Sequence, residues 1–167
     1  YEHLIFSFTV IIFSCVGTLI LPFVSEFTRG VTDVEYYRAD FAAIITIAET
    51  IFCIRQPYLL MVYATGNYEA TKMGACQEAV INLVLSIILV PFLGISGVVI
   101  GTLVANAFRT IQYSIFVSKH ILNRNLSLIV KHAVWMIFSM GIIIPLVLFI
   151  DQYIYYIGWI GWLIKAI

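Results

Sequence analysis

Charge is what this chain has least of. Nine Lys and Arg and nine Asp and Glu make up 11% of its 167 residues, where an ordinary soluble domain carries about 25%. A soluble domain must cover its surface with polar groups, and so few charges cannot do that. Intrinsic disorder is excluded as well, because it needs low hydrophobicity together with high charge. The net charge is zero, which removes the electrostatic footprint of a nucleic-acid binder. Cysteine is scarce too. Cys15, Cys53 and Cys76 stand alone in apolar surroundings, with no CxxC, no His/Cys cluster and no disulfide framework. They are expected to be free, buried thiols. The sequence also lacks HExxH, a nucleophile elbow, a paired-aspartate metal motif and a phosphate-cradling Gly loop. An enzyme is therefore not expected, nor a cofactor or metal centre. His3, His120 and His132 are isolated and receive no role.

What the chain does have is apolar sequence. Hydrophobic residues make up 62% of it, and the mean hydropathy is +1.04. Lipid is its expected solvent. A bilayer core of about 30 Å needs roughly 20 helical residues, and six runs approach that: 4–24, 41–64, 75–93, 95–118, 128–150 and a short 154–167. Transmembrane strands would be ~9–11 residues long and alternate in polarity, which these runs do not. The expected fold class is all-α integral membrane, a single polytopic bundle of about six helices. The first run is too long for a signal-peptide core and lacks a basic leader. The chain, which opens on Tyr1, reads as part of a longer protein.

The connections differ in character. Residues 25–40 and 119–127 are polar loops, as is 65–74 (TGNYEATKMG). Thr32 to Glu35 fits a capping box, so the second helix is expected to start before it enters lipid. Pro91 to Ser96 is tight and uncharged, which argues for a hairpin. Orientation follows from Lys and Arg alone. Lys72, Lys119, Arg124, Lys131 and Lys165 fall on one side, and Arg29 and Arg38 on the other. The first group is expected in the cytoplasm, with both chain ends inside and 25–40 outside. Tyr153, Tyr155, Tyr156, Trp159 and Trp162 near the end read as an interfacial anchor.

Four ionisable residues lie within spans: Glu49, Arg55, Glu78 and Arg109. Such groups usually face protein or a wet cavity. Thr102, Asn106, Arg109 and Tyr113 recur at helical spacing on one face of the fourth span. Glu78, Asn82 and Ser86 do the same on the third. A Glu78–Arg109 pair between these neighbours is possible. On a structural reading, that pair neutralises itself and Asn82 and Asn106 supply interhelical hydrogen bonds. On a functional reading, the faces line a polar cavity, and Arg55 and Arg109 offer charge to an anionic substrate, a geometry suited to phosphate. Snorkelling is a third reading. Glu49, about 12 Å into its span, either binds a cation, takes a proton or pairs with a base. Pro57 should bend this helix or free a carbonyl. Gly97 and Gly101 form a GxxxG that permits close helix packing.

Two stretches carry a family resemblance. One is Gly66-Asn67-Tyr68-Glu69-Ala70-Thr71-Lys72 before a span. The other runs from Ile81 through Asn82 and Ser86 to Pro91, then from Gly94-Ile95-Ser96-Gly97 to Gly101-Thr102, and ends at Arg109. In this order they resemble the carboxy-terminal part of polysaccharide transporters in the multidrug/oligosaccharidyl-lipid/polysaccharide flippase superfamily, nearest the O-antigen and capsule flippases of bacteria. The clearest overlap is about 60–120. The resemblance implies two six-helix bundles around a central cavity. The first four spans here would match the last four of the second bundle, with two appended helices after them. It implies alternating access in the cytoplasmic membrane for a lipid-linked (polyprenyl-pyrophosphate) oligosaccharide, in cell-envelope polysaccharide biosynthesis. The amino-terminal bundle would be the missing partner, and an ion gradient would give Glu49 or Glu78 a coupling role. Arg55, Arg109, Asn82 and Asn106 are the candidate substrate contacts by position; no strict family motif maps onto Glu49, Arg55 or Arg109. The alternatives are a drug or cation antiporter of the same superfamily and a non-transporting scaffold subunit. A membrane transferase would lack any catalytic motif.

Overall fold

The computed structural model describes residues 2–31 and 38–125, together with positions 127, 131, 134 and 138. Four helices make up nearly all of it: α1 (Glu2–Phe27), α2 (Ala39–Ala64), α3 (Tyr68–Leu93) and α4 (Ile95–Phe116). A single π-helical turn, Val117–Ile121, extends α4. All four helices are long and apolar enough to cross a membrane. At 1.5 Å per residue, a helix of 26 residues spans about 39 Å, more than the hydrocarbon core requires. No strand occurs among the described residues. Apart from positions 131, 134 and 138, the expected fifth and sixth spans and the aromatic segment lie outside the described residues.

Tight turns make the helices antiparallel. Between α2 and α3 the chain reverses over Thr65–Asn67, where Gly66 adopts φ +70°. The amides of Thr65, Gly66 and Asn67 donate back to the carbonyls of Met61, Tyr63 and Val62, satisfying acceptors left open at the helix end. Between α3 and α4 a single residue, Gly94 (φ +59°, ψ −139°), makes the hairpin. That conformation is open essentially to glycine alone. Pro91 sits in the last turn of α3.

The spatial order departs from the chain order. α1 packs on α2, α2 on α4, and α4 on α3, so α4 lies between its two predecessors. The α3–α4 contact is close because of glycine. A Cβ on Gly97 would come within 2.7 Å of the Leu89 backbone, and one on Gly101 within 2.7 Å of Ser86 Oγ. The GxxxG thus serves packing inside this hairpin. Between α2 and α4, Asn106 Nδ2 donates to the Ala48 carbonyl at 3.2 Å, and Thr110 Oγ1 to the Ile51 carbonyl at 3.3 Å. At the Tyr68 end, Phe6, Val10, Tyr58, Val62, Tyr113 and Val117 pack together from α1, α2, α4 and the π turn. In lipid such clusters hold by close van der Waals packing rather than by hydrophobic burial.

Several expectations need correction. α3 begins at Tyr68, not Ala75, because Glu69, Ala70 and Lys72 are good helix formers and are exposed, so this first turn can stand in water. α2 begins at Ala39 behind an extended Arg38 (φ −121°), and the box at Thr32–Glu35 lies outside the described residues. The cysteines are free, but Cys15 and Cys76 are exposed and Cys53 is half-buried. In a membrane protein the outer surface is itself apolar, so a thiol gains nothing special from the interior. Arg29 and Arg38 do lie at one end of the bundle, with Lys72, Lys119 and Arg124 at the other, as the antiparallel order requires.

Candidate functional site

Three charged side chains from three helices meet inside the bundle. Arg55 comes from α2, Glu78 from α3 and Arg109 from α4. Arg55 Nη1 donates to Glu78 Oε1 at 2.7 Å. Arg109 Nε lies 3.6 Å from Glu78 Oε2, an ion pair without a hydrogen bond. Arg109 donates instead to Tyr113 Oη at 2.7 Å and to Gln112 Oε1. Its guanidinium carbon also sits 4.1 Å from the Tyr113 ring centroid, within cation–π range. Gln112 Nε2 reaches Gln77 Oε1 at 3.4 Å. Glu78 lies about 15 Å along α3 from Tyr68, well inside the helix.

The charges do not balance. Two guanidiniums share one carboxylate, and no second carboxylate pairs with either arginine among the described residues. The side chains of Arg55 and Arg109 are 9% and 4% exposed, while that of Glu78 is 23% exposed. Among the described residues Arg55 Nε is buried and has no hydrogen-bond partner. An unsatisfied charged donor in a low-dielectric site is costly, and it is the kind of group an anion would satisfy.

Gly74 makes this arrangement possible. Any Cβ there would collide with the Arg109 guanidinium and the Gln112 carboxamide. One turn beyond Glu78, Asn82 Oδ1 accepts from Ser86 Oγ at 3.2 Å and lies 3.5 Å from Thr102 Oγ1, which continues the polar seam between α3 and α4.

Of the six residues singled out from sequence, Arg55, Glu78 and Arg109 therefore form one cluster. Asn82 lies beside it on α3, and Asn106 is turned toward α2. Glu49 stands apart, exposed on the outward side of α2. The anticipated Glu78–Arg109 pair is present, but the closer partner of Glu78 is Arg55. Gly74 and Gln112 carry no periodic signal and escape sequence reading. The proximity of Gln112 to Arg109, three residues on, was the one available hint.

A second charged group closes the Tyr68 end. Arg124 Nη1 and Nη2 donate to the two Glu2 oxygens at 2.8 and 2.9 Å, and Tyr58 Oη donates to Glu2 Oε1 at 2.6 Å. The hydrogen bonds that Arg124 donates to Glu2 hold its pKa above the ordinary value. At the opposite end Ser96 Oγ donates to Asp40 Oδ2 at 2.6 Å, and Arg38 Nη2 donates to Ser96 Oγ at 2.9 Å, joining the starts of α2 and α4.

No protein-family model, curated protein or solved structure matches the chain.

Proposed function

We propose that the protein is part of a membrane transporter that moves a lipid-linked oligosaccharide across the cytoplasmic membrane by alternating access. The observation that supports this reading is the net-positive cluster of Arg55, Arg109 and Glu78 inside helices long enough to span a bilayer. A sugar pyrophosphate cannot enter hydrocarbon without compensating charge. Guanidiniums are suited to meet it, because each offers two parallel donors to a phosphate. In this reading the ends bearing Lys72, Lys119 and Arg124 face the cytoplasm. The resemblance of residues 60–120 to polysaccharide flippases favours the same class, and an amino-terminal bundle would complete the cavity. Asn82 extends the polar path beyond the cluster, and Glu49 is the candidate for ion coupling.

A second reading has an observation of its own. The interhelical bonds of Asn82, Asn106 and Glu78 are what a non-transporting scaffold subunit would use to seal its polar faces. The unpartnered Arg55 Nε counts against complete sealing. A drug or cation antiporter would need an acidic rather than a basic site.

Glycan export at matched membrane levels tests the proposal. Arg109→Ala is expected to abolish export, and Arg109→Lys, which keeps charge but loses the planar fork, to reduce it. Full export by both variants removes the substrate role and leaves the scaffold reading.

A further inference from the structure

Resting on the anion-transport reading, we infer that Glu78 is a displaceable internal counter-ion: it occupies the arginine site when cargo is absent and yields Arg55 to the anionic group of the cargo. Three features carry this. Glu78 is the only anion shared by the two arginines among the described residues, and it binds them unequally, at 2.7 Å to Arg55 and 3.6 Å to Arg109. It is the most exposed member of the three, so the cluster opens to its surroundings through this carboxylate. It also stands on α3, the edge helix of the row, which packs mainly on α4. The arginines sit on α2 and α4, which pack on each other and are joined by Asn106 and Thr110. Moving the carboxylate therefore disturbs less of the fold than moving either arginine.

The chemistry is competition between anions for one pair of forks. The residue groups facing the site are Arg55 from α2, Gln77 and Glu78 from α3, and Arg109, Gln112 and Tyr113 from α4. Only Glu78 among them is acidic enough to imitate a phosphate oxygen pair. An incoming diphosphate would gain the contact with Arg55 that Glu78 now makes and the unpartnered Arg55 Nε besides. It would meet like-charge repulsion from Glu78 unless that carboxylate withdraws. Glu78 would then set affinity by opposing it, keeping the site from trapping its cargo.

The test titrates inorganic pyrophosphate into the purified protein in lipid nanodiscs. Glu78→Gln, which keeps the side-chain length and an acceptor for Arg55, is expected to bind roughly tenfold tighter than wild type. Unchanged or weaker binding by folded Glu78→Gln protein overturns the inference. Should that variant not fold, Glu78→Asp serves: it keeps the charge but is one methylene too short to serve both arginines. It is expected to bind a few-fold tighter, and binding equal to wild type or weaker overturns the inference. Arg109→Lys export reports separately on the transport reading. A tighter Glu78→Gln site in a protein whose export ignores Arg109 would leave the counter-ion standing and remove the cargo.

Discussion

Two carboxylates in this protein, Glu2 and Glu78, are each held by arginine, and they are held in opposite ways. Glu2 meets one arginine in a two-pronged fork and a tyrosine hydroxyl besides, with contacts of 2.6–2.9 Å. Glu78 is divided between two arginines, one close and one distant, and a buried guanidinium nitrogen beside it has no hydrogen-bond partner among the described residues. The first arrangement is what an interaction looks like when it serves to fasten one part of a fold to another. It ties the start of α1 to the segment after α4, 122 residues away. The second leaves charge in excess where the surroundings disfavour it, and an excess of that kind is intelligible as a site.

The difference can be broken most forcefully at Glu78. Glu78→Gln leaves two buried cations without an anion, and unfolding studies should show a loss approaching 3 kcal/mol. This is at the low end of the range for broken buried pairs because the carboxylate is partly exposed. Arg109→Gln should cost much less, about 1 kcal/mol, since Arg55 and Glu78 then form a balanced pair. Equal costs for the two would dissolve the idea of excess charge. At the fastening, either Glu2→Gln or Arg124→Gln is expected to cost about 1–2 kcal/mol. The double variant should cost little more than one single, a coupling that a double-mutant cycle reads directly.

That fastening should not respond to alkaline pH through Arg124. A guanidinium with a raised pKa contributes its stabilisation fully below its ordinary value. The contribution is lost only as the pH rises through the still higher folded value.

Gly74→Ala sharpens the comparison from the other direction. The added methyl should displace Arg109 at a cost of about 1–2 kcal/mol and lower export in proportion to the displacement, leaving the Glu2 fork intact. The smallest effect on folding belongs to Glu49→Gln, expected within about 0.5 kcal/mol because the residue is exposed and makes no ion pair among the described residues. Its readout is the dependence of export on pH and sodium, and an unchanged dependence rules out coupling through Glu49.

Much of this architecture is legible from residue order. Apolar run length separates helices from strands, Gly94 beside Pro91 marks the hairpin, and periodicity puts Glu78 with Asn82 and Arg109 with Asn106. What periodicity cannot say is which helix each face meets. The insertion of α4 between α2 and α3 brings Arg55 to Glu78 although their helices are not packed as direct neighbours, and nothing local in either sequence announces it. The start of α3 is not legible, because the polar residues before Ala75 look like a loop and are the wet end of a helix. Gly74 is silent in sequence since its importance lies in another helix's side chain. Cysteine burial does not follow from apolar neighbours here, because apolar means inside only in soluble proteins.

On the reading proposed, the two arginines hold positive charge available to an anion. This is tested most directly by titrating inorganic pyrophosphate into the nanodisc-embedded protein and into its Arg55→Gln/Arg109→Gln variant. Saturable binding to the wild type that disappears in the variant is the predicted result. Equal binding by both proteins, or none by the wild type and by Glu78→Gln alike, would contradict it.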